Sequence, residues 1–564
     1  MKLSTPLSLL TIAIISACGA RTSHNDITMA EPYKAPSELT EVKSTAPAAT
    51  NHKAIKKVHS LVYESDSVAD SVTTLVEPAL HGRSIIDNDM GLPVQNNEKY
   101  ANAKLSPIKI VADDPVSTFS TDVDTASYTN ARRFLEHGSL PPTDAIRVEE
   151  FINYFDYGLK APTSLQEPIA IETELTTTPW NEHTQLMRVS LQAYKSNMAD
   201  LPPLNLVFLL DVSGSMGDPD KLPLMQRSFN LLVDQLRPQD RVSIAVYAGD
   251  SGVALEPTAG DQKQTIINAI NQLRSGGSTH GSAGIHLAYE LAQANFDKDS
   301  INRVIIGTDG DFNVGTVGID SLKDLIESKR ESGVFLNVLG FGTGNYNDHL
   351  MEELSNHGNG VAYYIDSYQE ARKIFSEQLT ATLQTVAKDV KIQVEFNPAN
   401  VAEYRLIGYD NRQLQREDFN NDKIDAGEMG SGHTVTALYE VVPAHSEFRF
   451  NDPLRYNTTE TAKSLPDSNE LAFVKVRYKL PSNSHSELMN IPVERTVTQS
   501  STTMTFVTGV AGFAEQLRHS PYVQNFTYAD TEALVKTGLE NDRWGYRQQL
   551  LQLVKNAQSV QGNQ

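Results

Sequence analysis

Between residues 203 and 385, apolar stretches alternate with segments of helical length, and this alternation constrains the fold more than any other feature of the chain. The apolar stretches are LNLVFLL (204–210), RVSIAVYA (241–248), RVIIGT (303–308), VFLNVLGFG (334–342) and VAYYI (361–365). Segments suited to helices lie at 221–236, 262–273, 281–296, 319–332 and 368–384. A strand that is apolar at consecutive positions must be buried on both faces, whereas a strand with one wet face alternates. The pattern therefore predicts an α/β unit with a parallel sheet covered on both sides. Ligands of such sheets sit outside the carboxyl ends of the strands, so the loops leaving those ends are the places to look for chemistry.

The chain has 564 residues, too many for one core, and three or four folded units are expected. Outside the α/β unit the texture changes to period two. IAIETELTTT (169–178) and LMRVSLQAY (186–194) precede it, and VKIQVEF (390–396), VTALYEV (435–441) and VKVRYKL (474–480) follow. These read as half-buried strands. Strands on both sides imply that the α/β unit is inserted into a β-sandwich, which requires 169–194 to share a sheet with 390–480. Order is expected to begin near Ile110. Helices are predicted at 126–136, ended by Gly138 and two prolines, and across 145–154. The last 60 or so residues read as helical, with GVAGFAEQLRHS (509–520) and an amphipathic WGYRQQLLQLVKN (544–556).

The amino terminus, MKLSTPLSLLTIAIISACGA, has a basic start, an apolar core from Leu7 to Ile15 and small residues before Cys18. This is the chemistry of a secretory signal, too short to be a spanning helix. IISAC resembles the lipobox of bacterial lipoproteins, which implies cleavage before Cys18 and a lipid on its thiol. Cys18 is the sole cysteine, so no disulfide can form within the chain. Gly19 after the cysteine, by resemblance to Gram-negative sorting rules, favours the outer membrane. From Gly19 to about Ser106 the chain is polar and poor in aromatics, and it reads as a disordered tether with an end-to-end reach of about 50 Å. The net charge of −22 argues against nucleic-acid binding and suits a domain that recruits cations.

The first apolar strand of the α/β unit runs into DVSGSMG (211–217), placing Asp211, Ser213 and Ser215 on one loop at the sheet's edge. Gly214 and Gly217 allow that loop to bend tightly. Two later loops are predicted to reach the same edge: SGGSTHGSAG (275–284) with Thr279, and TDGDFNVG (308–315) with Asp309 directly after a buried strand. Two carboxylates and three hydroxyls are an oxygen-only donor set. It suits Mg²⁺, with Ca²⁺ or Mn²⁺ also fitting, and does not suit zinc.

DVSGSM together with Thr279 and Asp309 resembles the metal-ion-dependent adhesion site of von Willebrand factor A domains. The resemblance implies a Rossmann-like domain in which Ser213, Ser215 and Thr279 touch the metal while Asp211 and Asp309 act through water. The stretches DDPVSTFSTDVDTASYTNARRFL before the domain and GFAEQLRHSPY after it resemble the flanking modules of YfbK-like bacterial lipoproteins. The resulting division is a signal peptide (1–17), a tether (18–106), an N-terminal flanking module (107–200), the A domain (201–385), a β-rich module (386–500) and a helical segment (501–564). The expected role is that of a membrane-anchored envelope protein whose metal takes a Glu or Asp from a protein partner, without catalysis.

A metal with an open position could also activate water, and His280 is the candidate base for a hydrolase; a lone loop histidine is more often solvated surface. A third reading is a structural scaffold of the envelope. Asp311 reads as a turn cap. Asp122 and Asp124 form the DxD of haloacid-dehalogenase-like phosphatases, but no apolar strand is evident before them and Ala126 stands where that motif needs Thr or Val. Asp124 is therefore read as a helix cap. DFNNDKIDAGEM (418–429) begins like an EF-hand loop, yet Lys423 and Met429 replace the required glycine and glutamate, so it reads as a polar turn.

Overall fold

The computed structural model describes residues 98–100, 105–279, 281–310, 318–452, 468–540 and 542–562. Cys18 and nearly all of the predicted tether lie outside them, as do His280 and Asp311.

The α/β domain is built on a six-stranded sheet in the order Ala362–Ile365, Val334–Phe341, Ile301–Thr308, Leu204–Asp211, Arg241–Tyr247, Ser251–Ala259. Its neighbours pair in parallel except at the last strand, which is antiparallel. The continuous apolar run of the central strand is explained by its two faces. Leu206, Phe208 and Leu210 enter one core with the helix Leu222–Gln235, while Val207 and Leu209 enter the opposite core with the helix Gly281–Ala294. Two elements of this domain escaped the sequence reading. The edge strand Ser251–Ala259 is half-exposed and interrupted by Pro257, which mutes its pattern. The helix Asp348–His357 is short and sits in a stretch to which the sequence assigns no element. The last segment of the domain is not the single helix expected over 368–384: it breaks into a turn at Tyr368–Arg372, a π-helical turn at Lys373–Glu377 and a final turn at Leu379–Leu383.

Around this domain lies a sandwich of two antiparallel sheets. One has the order Lys109–Ile110, Val401–Ile407, Thr434–Pro443, Gln185–Ala193, Ile169–Thr177. The pairing of Gln185–Ala193 with Thr434–Pro443 joins chain from before and after the α/β domain, so that domain is an insertion in the sandwich. The other sheet runs Gly427–Gly430, Thr385–Phe396, Glu470–Lys479, Ser486–Glu494, with Val116–Ser120 also paired to Thr385–Phe396. Inward side chains such as Met187, Val189 and Leu191 meet Ile392, Val394 and Val474 in one core. Leu186, Ile407 and Leu438 from the opposite face of the first sheet pack under helices Ala126–Glu136, Val148–Asn153, Thr502–Leu517 and Tyr546–Gly562. The molecule here is thus helix on sheet on sheet.

Order begins earlier than Ile110. Glu98 pairs with Arg133 at 2.9 Å and its other oxygen accepts from Gly344 N–H, while Lys99 bridges to Asn347. The DxD also differs from expectation. A buried strand, Val116–Ser120, does precede it, and Asp124 does not cap the helix, whose cap position is Thr125 with no side-chain bond. Instead Asp124 accepts from Ala362 N–H at 2.9 Å and from Arg412 at 3.1 Å. Arg412 also holds Asp122 at 3.0 Å and Glu352 at 3.1 Å.

Three arginines therefore join the modules electrostatically. Arg412 reaches from the sandwich to the N-terminal segment and the α/β domain. Arg147 pairs with Glu150 and Asp348. Arg132 pairs with Asp366 and, at 2.9 Å, with Glu370. Removing one partner of a buried ion cluster strands the others, at a cost of about 3–5 kcal/mol. Arg412→Met should lower unfolding stability by about that amount at pH 7.5. Urea denaturation measures it, and an unchanged midpoint would show that the three carboxylates need no counter-charge.

Candidate metal centre

The candidate site forms where Leu204–Asp211 and Ile301–Thr308 end side by side, with Leu210 in register with Gly307. Because both strands point the same way, Asp211 and Asp309 emerge at one edge. Both carboxylates are essentially inaccessible to solvent. Asp211 receives Ser213 N–H at 2.8 Å, which folds the loop back over the strand end. Its other oxygen accepts from the Thr308 hydroxyl at 3.3 Å, and the buried Tyr247 phenol faces the same pair. The fold then brings Ser213 Oγ to 3.1 Å from Ser215 Oγ.

The loop carrying Thr279 is tied to this one through the backbone. Gly214 N–H donates to Gly277 O at 3.0 Å and Gly276 N–H donates to Val212 O at 2.8 Å. Thr279 stands two residues beyond Gly277 and is half-buried. On the third loop, Gly310 follows Asp309 with φ of +89°, and a Cβ there would lie 2.6 Å from Asn347 N. This glycine lets the chain turn away sharply so that Asp309 stays at the strand end. Direct contacts thus join Asp211, Ser213 and Ser215; Asp309 enters through the adjoining strand, and Thr279 through its loop's docking.

Sequence reasoning missed Lys221. Its ammonium lies 2.9 Å from Asp309 Oδ2, and both side chains are buried. Lys221 is also the cap residue of the helix Leu222–Gln235. A cation at a helix amino terminus opposes the helix dipole, so a lysine there signals a specific anionic partner nearby. That was the available clue.

The electrostatics explain what the site wants. Burial, followed in weight by the neighbouring Asp309 charge on the unfavourable side, pushes the Asp211 carboxyl up to about 6, against the hydrogen bonds from Ser213 that hold it down. Two buried carboxylates and one ammonium leave a net negative charge among oxygen donors only. The donor set fits a hard dication with Ser213, Ser215 and Thr279 as hydroxyl ligands and the two aspartates as its charge partners. Among the described residues, two other acidic clusters are met by basic side chains. Asp122, Asp124 and Glu352 surround Arg412, while Asp425 is paired with Arg330 and Asp389 with Lys479 beside Glu428. The EF-hand-like stretch is likewise engaged: Asp422 accepts from Ser486 and contacts Arg477.

Residues 205–377 match the von Willebrand factor type A domain, 94–188 match a family described as von Willebrand factor, and 381–560 match the C-terminal domain of the uncharacterized protein YfbK. YfbK of Escherichia coli (strain K12) is 43% identical over 468 residues, 82% of this chain and 81% of that protein. The inter-alpha-trypsin inhibitor heavy chain H2 of Sus scrofa is 28% identical over 199 residues, 33% of this chain and 21% of that protein. Among solved structures, a von Willebrand factor type A protein from Catenulispora acidiphila aligns over 72% of this chain and 90% of its own, at 13% identity and a TM-score of 0.37.

The raised Asp211 carboxyl sets a stability prediction for the metal-free protein. The folded state holds a proton there more tightly than the unfolded chain does, so stability falls as pH rises from about 3.8 through about 6. In chelator at pH 7.5, Asp211→Asn should be more stable than the wild type by about 1–3 kcal/mol. The gap should close as pH is lowered toward 4. Thermal unfolding across pH reads this directly, and a destabilised Asp211→Asn protein at pH 7.5 would refute the charge argument.

Proposed function

This chain belongs to the YfbK family of proteins built around a von Willebrand factor type A domain, and from that premise we propose that it is a cell-envelope binding protein that captures an acidic partner through a divalent cation. Domains of this type generally mediate metal-dependent protein–protein interaction. The observation that carries the reading is the convergence of Ser213 and Ser215 hydroxyls, 3.1 Å apart, beside the buried Asp211 and the neighbouring Asp309. Thr279 completes the hydroxyl set from the adjacent loop.

Charge links these donors to the partner. Hydroxyls bring no negative charge to a dication, and carboxylates held one shell out offset it only in part. Mg²⁺ requires near-octahedral coordination at about 2.0–2.1 Å and readily keeps positions filled by exchangeable water. A Glu or Asp side chain from a protein partner can take one of those positions and supply the missing charge. The role is binding, not turnover. Mg²⁺ is the ion proposed, with Ca²⁺ and Mn²⁺ compatible with the same oxygens.

The anchoring half of the proposal rests on the amino-terminal sequence. The apolar Leu7–Ile15 segment and the IISAC motif support export and lipidation at Cys18, and Gly19 supports retention at the outer membrane. Among the described residues, no helix is long and apolar enough to cross a membrane.

Capture from envelope extract tests the binding reading. Immobilised protein should retain partner proteins in Mg²⁺ and release them in chelator, and Asp211→Ala should retain none of them. Partners held equally well in chelator, or by Asp211→Ala, would overturn it.

A further inference from the structure

Among the described residues, Lys221 is a charged residue at the candidate metal centre that the adhesion motif does not contain. Its ammonium and the Asp309 carboxylate make a 2.9 Å pair from which solvent is excluded. The contact is built, not incidental. Gly342 has φ of +74°, and a Cβ at that position would lie 2.2 Å from Lys221 Cγ and 2.7 Å from its Cε. The aliphatic stem therefore lies in a groove that exists because residue 342 is glycine. Asp218 O receives Lys221 N–H at 3.0 Å, and Lys221 O receives Met225 N–H at 2.8 Å, so the backbone at the stem's root is fixed as well.

We propose that Lys221 is a positioning residue that sets the charge of the metal site: it holds one oxygen of Asp309 and leaves the cation-loaded site with an excess positive charge, so that the open coordination position selects an anionic ligand. This rests on the metal-dependent binding reading above. Without Lys221, a dication beside two carboxylates is formally neutral, and only the one-shell distance of those carboxylates favours an anionic ligand over water. With Lys221 the same loaded site carries one net positive charge, buried where opposing charges are weakly screened. A carboxylate then restores neutrality. The same ammonium repels the incoming cation, so ligand selectivity is gained at the expense of metal affinity. Lys221 also restrains Asp309, whose Oδ2 accepts from the ammonium at 2.9 Å.

Titration calorimetry of the full chain with Mg²⁺ and Mn²⁺, and Mn²⁺ paramagnetic resonance of the loaded protein with added acetate, test the proposal. Lys221→Met should bind the cation about tenfold or more tightly than the wild type while its affinity for acetate falls by a similar factor. Lys221→Arg, which keeps the charge, should restore both values toward wild type. Damage to the fold would weaken metal binding, so tighter binding cannot arise from misfolding. Lys221→Gln provides the same comparison should the methionine variant fail to fold. A wild type that takes up the cation while Lys221→Met and Lys221→Gln bind it equally or less tightly would overturn this inference alone. A wild type that takes up no cation would overturn the metal reading together with it.

Discussion

Two carboxylates buried together at the end of a parallel sheet must be answered by positive charge, and the architecture around them follows from that demand. Burying an unpaired ion costs several kcal/mol even after relaxation. A chain that places Asp211 and Asp309 at adjacent strand ends, both shielded from water, accepts that cost only if something pays it back. Lys221 offsets one charge. The hydroxyls of Ser213 and Ser215, 3.1 Å apart on the same loop, stand beside the remaining charge, where the proposed cation would take oxygen ligands.

The surrounding modules hold that edge in place. The α/β domain enters and leaves the sandwich through the chain before Leu204 and after Leu383, and the pairing of Gln185–Ala193 with Thr434–Pro443 closes the sheet around the insertion. Arg132, Arg147 and Arg412 then bind the N-terminal segment to the domain's far strand and helices through buried carboxylates. Glu98 and Lys99 fasten the segment ending at Asn347, the same segment that packs against Gly310 beside Asp309. The loop arrangement at the metal centre is therefore braced from outside the domain that carries it.

Much of this was legible in the sequence, for physical reasons that also mark where legibility ended. Continuous apolar strands such as LNLVFLL can be satisfied only between two helical layers, and the insertion was visible because period-two strands flank them on both sides. The motif at 211–215 could be read because its residues are adjacent in sequence. Lys221 could not be placed in the same way, since its partner Asp309 is 88 residues away and the groove that admits it depends on Gly342. The DxD at 122–124 misled for a related reason. Asp124 looked like a local cap, whereas its partners, Ala362 and Arg412, lie more than 200 residues along the chain. The edge strand Ser251–Ala259 and the helix Asp348–His357 were lost because neither shows a full apolar face.

The central claim is that three loops gather their oxygens around one hard dication. The most direct measurement is a crystal structure with Mn²⁺, read from its anomalous signal. The account predicts one fully occupied peak in coordination contact with Ser213 Oγ, Ser215 Oγ and Thr279 Oγ1, with Asp211 and Asp309 close behind. A peak among Asp122, Asp124 and Glu352, or no peak at the end of Leu204–Asp211, would contradict it.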